Sequence, residues 1–264
     1  MSLSVQVTMV SWYFLIVHRL ISINWLGKIY AYQFGKISGK SGSGSQITNC
    51  FQGHKAPVMD ITFNHEMLCS GSRDGTIIIW DLHTCSLTKR FPAHQGSVNT
   101  VLPLDPNTMI SSGVDGCVKV VDLRVKKVVH NILVSNSDRT GMASIGCMAV
   151  SPQSSDDDGR GCIITGGADN AVSVFDLRSS QSILHRWSHH KNAVYSLCPV
   201  GSHCLLSGGG EGMMLAYDLG KATEDALLYG LSGSEHGAVQ CILQLGQSIF
   251  ACDESGKVLE YRFI

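Results

Sequence analysis

No N-x-S/T sequon occurs in the chain, and none of its ten cysteines (Cys50, Cys69, Cys85, Cys117, Cys147, Cys162, Cys198, Cys204, Cys241 and Cys252) belongs to a C-x-x-C pair. The first absence fits a reducing intracellular setting, cytoplasm or nucleus. The second leaves no zinc site and no redox dithiol spelled out, so the thiols read as small buried hydrophobes. Proline is scarce, with 6 residues against 28 glycines, which points to many tight turns. An excess of one charge is also missing: 20 basic and 21 acidic residues give a formal net charge of −1, and no overall field draws in nucleic acid or an anionic membrane. Long apolar runs are missing as well. The run at 10–17, with Trp12, Tyr13 and Phe14, is far short of the ~20 residues that cross a bilayer. It has no Lys or Arg before it, and His18 and Arg19 follow, the wrong order for a secretory signal, so it reads as a buried strand. A chain that is 44% hydrophobic and 16% charged has the means to bury a large core.

What the chain does have is a repeat. Asp74-Gly-Thr-Ile-Ile-Ile-Trp80-Asp81-Leu82, Asp115-Gly-Cys-Val-Lys-Val-Val121-Asp122-Leu123, Asp169-Asn-Ala-Val-Ser-Val-Phe175-Asp176-Leu177 and Glu211-Gly-Met-Met-Leu-Ala-Tyr217-Asp218-Leu219 superimpose without gaps. Ser255-Gly-Lys-Val-Leu-Glu-Tyr261 is a degenerate further copy, and Leu26-Gly-Lys-Ile-Tyr-Ala-Tyr32 another. The column at 32, 80, 121, 175, 217 and 261 has intervals of 48, 41, 54, 42 and 44 residues. A second column, His54, His94, His190 and His236, runs about 25 to 28 residues ahead of its marks. Asp74-Gly75 and Asp115-Gly116 sit between β-rich runs and predict two-residue hairpin turns with positive φ at both central positions. No helical apolar period competes.

On these residues the chain resembles the WD-repeat (WD40) family, strongly over 51–219 and weakly at both ends. The resemblance implies an all-β toroid of four-stranded antiparallel blades. Six marks predict six blades; the alternative is a seven-bladed ring with a degenerate blade hidden in 1–50 or 124–150. The whole of 1–264 is then one propeller domain, with 1–50 a degenerate first blade plus closing strand and 51–264 five recognisable repeats. Ser2-Leu-Ser-Val-Gln-Val-Thr8 alternates polar and apolar and is expected to complete the C-terminal blade. The acidic stretch around Asp156, Asp157 and Asp158 reads as an exposed loop, lacking the alternating ligands and closing Glu of a Ca²⁺ site. The stretch 39–45 reads as a connection between blades.

His54, Ser70, Asp74 and Trp80 include the residue types of a nucleophilic triad. In WD repeats, however, matching positions form a structural chain from indole to hydroxyl to imidazole to turn carboxylate. Its fading copies favour that role: His94, Ser111 and Asp115 with Val121; Thr165 and Asp169 without a His; His190, Ser207 and Glu211 with Tyr217; His236 with only Ala251 and Ser255. A catalytic site would occur once. The glycine-rich runs at 35–41 and 208–212 lack the spacing or the following helix needed for phosphate or a dinucleotide. The expectation is therefore no enzyme, metal, cofactor, nucleic acid, membrane or small-molecule substrate, but a scaffold for other proteins.

Lys55, Met59, Arg73, Gln95, Asn99, Lys191, Tyr195 and Gln240 fall where blade-top loops converge, and are the candidate partner-binding residues. Val121-Asp122-Leu123-Arg124 and Phe175-Asp176-Leu177-Arg178 are similar to the W-D-x-R box by which WD-repeat substrate receptors dock onto a cullin-ligase adaptor, with Phe175 replacing Trp. The chain also looks like the repeat half of F-box/WD-repeat proteins, without an F-box helix. That resemblance implies a substrate-recognition subunit of a ubiquitin ligase, docking through Arg124 and Arg178; the alternative is a general scaffold in signalling, trafficking or RNA processing.

Overall fold

The run Thr76–Asp81 is β-branched and aromatic, and in the computed structural model it is a strand whose Ile77, Ile78, Ile79 and Trp80 are all buried. Four successive buried side chains require cover on both faces of the sheet. That need for two neighbours organises the molecule. The structure describes residues 13–16, 19–23, 27–33, 46–64, 67–134, 144–151, 162–176, 183–221, 224–232 and 237–262.

Six antiparallel sheets follow one another along the described chain. The first holds β1 (Tyr13–Ile16), β2 (Arg19–Ile23), β3 (Lys28–Gln33) and β4 (Gln46–Gln52); the second β5 (Val58–Asn64), β6 (Met67–Ser72), β7 (Thr76–Asp81) and β8 (Leu87–Pro92). The third holds β9 (Val98–Asp105), β10 (Thr108–Gly113), β11 (Cys117–Asp122) and β12 (Lys127–Leu133); the fourth β13 (Ile145–Val150), β14 (Ile163–Gly167), β15 (Val172–Phe175) and β16 (Ile183–Trp187). The fifth holds β17 (Val194–Val200), β18 (Cys204–Gly209), β19 (Met213–Asp218) and β20 (Leu227–Ser232), and the sixth β21 (Val239–Leu245), β22 (Ser248–Asp253) and β23 (Val258–Arg262). Strands pair in sequence order in every sheet, and all six marks of the aromatic column fall on third strands. From the second sheet to the sixth, first strands pack against one another in succession: β5 on β9, β9 on β13, β13 on β17, β17 on β21. Those strands are innermost.

The core lies between sheets. Ile78 and Trp80 point back to Ile29 and Phe51 of the first sheet, whereas Ile77 and Ile79 point forward to Val98, Val101 and Met109 of the third. Comparable clusters join the third to the fourth, the fourth to the fifth and the fifth to the sixth. Burying each such side chain contributes about 1.5–3 kcal/mol. Glycine on the second strand lets the next sheet approach: a Cβ on Gly71 would lie 2.7 Å from Val98, and on Gly166 or Gly208 2.6 Å from Val194 or Val239.

Two expectations are corrected. At Asp74-Gly75 and Asp115-Gly116 only the glycine has positive φ, 78° and 70°. Gly75 N–H donates to Ser72 C=O and Gly116 N–H to Gly113 C=O, so each loop is a four-residue turn closing on a left-handed glycine. The reason is the aspartate: Asp74 Oδ1 accepts the Thr76 N–H two residues on, a local bond that holds Asp74 at negative φ. Asn170 takes the glycine's place in the fourth sheet with φ 61°. Second, the stretch containing 39–45 joins β3 to β4, which pair within one sheet, so it does not link blades. The closing strand at 2–8 and the acidic 156–158 lie outside the described residues, and of the run at 10–17 only the strand Tyr13–Ile16 is described.

Candidate functional site

The loop from β4 to β5 carries His54 over the second sheet. His54 Nδ1 lies 3.1 Å from Asp74 Oδ2, and Nε2 lies 2.7 Å from Ser70 Oγ. A carboxylate only accepts, so Nδ1 bears the proton; Nε2 then accepts the Ser70 hydroxyl, whose oxygen in turn accepts Trp80 Nε1–H at 2.8 Å. Asp74 is further held by the Thr76 hydroxyl at 2.6 Å and the Lys55 N–H at 2.8 Å. Burial alone would raise the Asp74 pKa, but these donors and the charge on His54 outweigh it and hold the carboxyl at about 2. Burial also keeps His54 below its ordinary pKa, against the pull of Asp74. Ser70 is 0% exposed, so no substrate can reach its hydroxyl. What this array can do is tie a loop, a turn and two strands together, at about 0.5–1.5 kcal/mol per neutral bond and more at the carboxylate.

The other sheets vary the theme. In the third, His94 reaches Ser111 at 2.9 Å and Asp115 at 2.8 Å, but buried Val121 offers Ser111 no donor. In the fifth, His190 meets Ser207 at 2.6 Å and contacts Glu211, while buried Tyr217 stacks on Trp187 with centroids 4.9 Å apart. The fourth sheet solves the problem with a residue the sequence reading missed. Arg186 on β16 donates to Asp169 at 2.6 Å, to Ser173 Oγ at 3.3 Å and to the Val134 carbonyl at 3.3 Å, and Thr165 donates to the Ser173 carbonyl at 3.5 Å. In the sixth sheet Ser255 was aligned with the turn carboxylates, but the acid stands two residues earlier: Asp253 accepts the Ser255 hydroxyl at 2.7 Å and the Lys257 N–H at 2.8 Å. His236 lies outside the described residues.

Of the candidate partner-binding residues, Lys55, Arg73, Gln95 and Lys191 are exposed, and so are the larger surfaces of Met59 (37%) and Tyr195 (44%); Gln240 is half-buried. Asn99 is corrected. Its amide donates to Ser144 Oγ at 3.1 Å and to the Ile145 carbonyl at 2.8 Å, stitching the third sheet to the fourth, because its position beside β13 puts acceptors within reach. Arg124 is exposed but forked onto Asp122 in its own turn, with Nη2 at 2.6 Å and Nε at 3.2 Å, while Arg178 lies outside the described residues. Asp60, also missed, accepts the Val101 N–H at 2.8 Å across the seam between second and third sheets, and burial pushes its carboxyl up to about 7. Among the described residues no three His, Cys, Asp or Glu side chains gather as a metal site would, and no helix is long and apolar enough to cross a membrane.

Repeated antiparallel sheets packed through their first strands, with a loop histidine fastened to a turn carboxylate in the second, third and fifth, define a WD-repeat β-propeller. Residues 59–203 match the family model described as Nucleolar protein 10-like, N-terminal domain, and the chain belongs to that family. It is similar to the WD repeat-containing protein 55 homolog of Dictyostelium discoideum, with 20% identity over 65% of this chain and 39% of that protein. It is also similar to the guanine nucleotide-binding protein subunit beta of Saccharomyces cerevisiae, 26% over 56% of this chain and 34% of that protein. A third relative is the U5 small nuclear ribonucleoprotein 40 kDa protein of Dictyostelium discoideum, 24% over 62% of this chain and 48% of that protein. The chain therefore spans less than half the length of each of these relatives.

Proposed function

We propose that the chain is a non-catalytic platform that holds proteins together in nuclear RNA–protein assemblies. The observation that carries this reading is the family match over 59–203, whose description names a nucleolar protein; a relative from a small nuclear ribonucleoprotein points the same way. Docking falls on the rim of Lys55, Met59, Arg73, Gln95, Lys191 and Tyr195, of which Met59, Arg73 and Tyr195 are of types enriched at protein interfaces. A cullin-adaptor role through Arg124 and Arg178 draws no support from these relatives, and Asp122 already engages Arg124. Broad scaffolding is the better backed of the two readings.

The test is affinity purification of the tagged chain from nuclear extract, with and without nuclease. Arg73→Glu, Lys191→Glu and Tyr195→Ala together should strip the bound proteins while the melting curve stays unchanged. An unaltered set of partners would refute the rim. Partners that vanish from the unsubstituted chain on nuclease treatment would show that RNA, rather than protein, is what it holds.

A further inference from the structure

Strand register brings together two thiols that stand eleven positions apart in the sequence, a spacing that no dithiol motif marks. Just past the register shift in each first strand, one residue faces the second strand: Asp60 faces Gly71, Thr100 faces Ser112, Cys147 faces Gly166 and Ser196 faces Gly208. In the sixth sheet the same place pairs Cys241 of β21 with Cys252 of β22. Among the described strands no other two cysteines are in register with each other. The small residues opposite have a reason in the other sheets, because a Cβ on Gly71, Gly166 or Gly208 would come within 2.7, 2.6 and 2.6 Å of a valine on the next sheet. Cys252 carries both a Cβ and a sulfur at that place, and it is half-buried, as is Cys241. The pair therefore has room for its sulfurs and is not sealed from solvent.

Directly opposed residues of an antiparallel pair put their side chains on one face with Cα atoms about 4.5–5.5 Å apart, inside the ~4.4–6.8 Å that a disulfide spans. Cys198 is worse placed: it belongs to β17 of the neighbouring sheet, is buried, and donates to the Pro199 carbonyl at 3.9 Å. We propose that Cys241 and Cys252 form a redox modification site, at which a low-molecular-weight disulfide oxidises the two thiols to a cross-strand bridge that staples β21 to β22. One protein thiolate attacks the reagent's S–S bond, forming a mixed disulfide and expelling one reagent thiolate; the second protein thiolate then attacks the protein sulfur and expels the other. The two cysteines are oxidised, the reagent is reduced, and the two protons end on the two thiols released. Burial, then the neighbouring thiols Cys252 and Cys198, push Cys241 up to about 11, while burial and the charge of Asp253 raise Cys252. Both stay protonated near neutral pH, so the bridge builds under sustained oxidant rather than at first encounter. The site is independent of the rim on which partners are proposed to dock.

The probe is oxidised glutathione, incubated with the full chain in the absence of denaturant; free thiols are then blocked with iodoacetamide and disulfides mapped by digestion and mass spectrometry. The expected product has one linkage, joining the peptides that carry Cys241 and Cys252, and it reverts on adding dithiothreitol. Amide exchange over 242–251 should slow at least ~10-fold in the bridged chain. Cys241→Ser and Cys252→Ser install the residues that the fifth and third sheets have at the matching places, Ser196 and Ser112, and an unchanged melting temperature under reducing conditions establishes that the variants fold. Each variant should lose the linkage and the slowed exchange, and hold glutathione on the thiol that remains. Thiols at 241 and 252 left free by the reagent overturn the proposal. So does a link from Cys241 to Cys198, or a bridge that forms only when urea is added.

Discussion

In the second sheet the turn carboxylate of Asp74 is held by an imidazole arriving from the loop before the sheet, whereas in the fourth Asp169 is held by a guanidinium arriving from the sheet's last strand. Both donors also reach the middle of the sheet, His54 at Ser70 and Arg186 at Ser173. The second sheet has an arginine at the matching place: Arg90 pairs in register with Ile78 as Arg186 does with Ser173. Apolar Ile78 offers it no acceptor side chain, and its charge helps depress the pKa of His54. What the two sheets share is the requirement that a half-buried carboxylate be paired, by a loop imidazole in one and by a strand guanidinium in the other.

The sharpest way to break this comparison is at the hydrophobic end of the network. Trp80→Ala should cost about 3–5 kcal/mol in urea denaturation. Trp80→Phe, which gives the second sheet the ring type of Phe175, should cost only about 1–2 kcal/mol for the lost donor to Ser70. Equal costs would mean that the hydrogen bond outweighs ring volume. Next comes Arg186→Met. Its side chain is 37% exposed, so solvent screening limits the loss to about 1 kcal/mol. That loss should shrink in high salt, unlike the loss on His54→Ala.

Acid should separate the sheets further. Burial holds His54 and His190 below the ordinary 6.5, so each contributes stability that is complete above that value and declines as pH falls below it. Asp74, held at about 2, keeps its contribution until pH drops below the ordinary 3.8. The whole fold should therefore lose stability as pH goes from about 7 to about 5, and His54→Gln in the second sheet should flatten the melting temperature over that range, whereas Arg186→Met in the fourth should not. One effect has the opposite sign. Asp60, raised to about 7, stabilises the fold most in acid and costs stability as pH rises from 3.8 to about 7. Asp60→Asn should accordingly gain melting temperature relative to the unsubstituted chain at about pH 8 over its value at about pH 5. A constant difference would mean the carboxyl does not titrate there.

The repeat was legible because strands place chemically similar residues at regular spacing: Tyr32, Trp80, Val121, Phe175, Tyr217 and Tyr261 all fall on third strands. The hydroxyl column was legible for the same reason, on second strands, and the His and carboxylate columns because the loops and turns between those strands recur at similar spacing. Turn type was misread because Asp-Gly says where a hairpin turns, while the side-chain bond from Asp74 to Thr76 decides how. Asn99 looked like a rim residue because the acceptors that claim it, Ser144 and Ile145, are 45 and 46 residues away. Arg186 escaped because the partner of Asp169 was sought only in the loop column. A clue existed: Arg90 and Arg186 follow Asp74 and Asp169 by 16 and 17 residues.

Each apolar cluster draws its side chains from two neighbouring sheets, so no interior sheet can unravel privately. Lifting one sheet would strip two interfaces at once and expose Ile77 and Ile79 on one side together with Ile78 and Trp80 on the other. Opening of the middle sheets is thus tied to unfolding of the whole. Hydrogen exchange in β6, β7, β10 and β11 should follow a single global rate, while the outer strands exchange on their own.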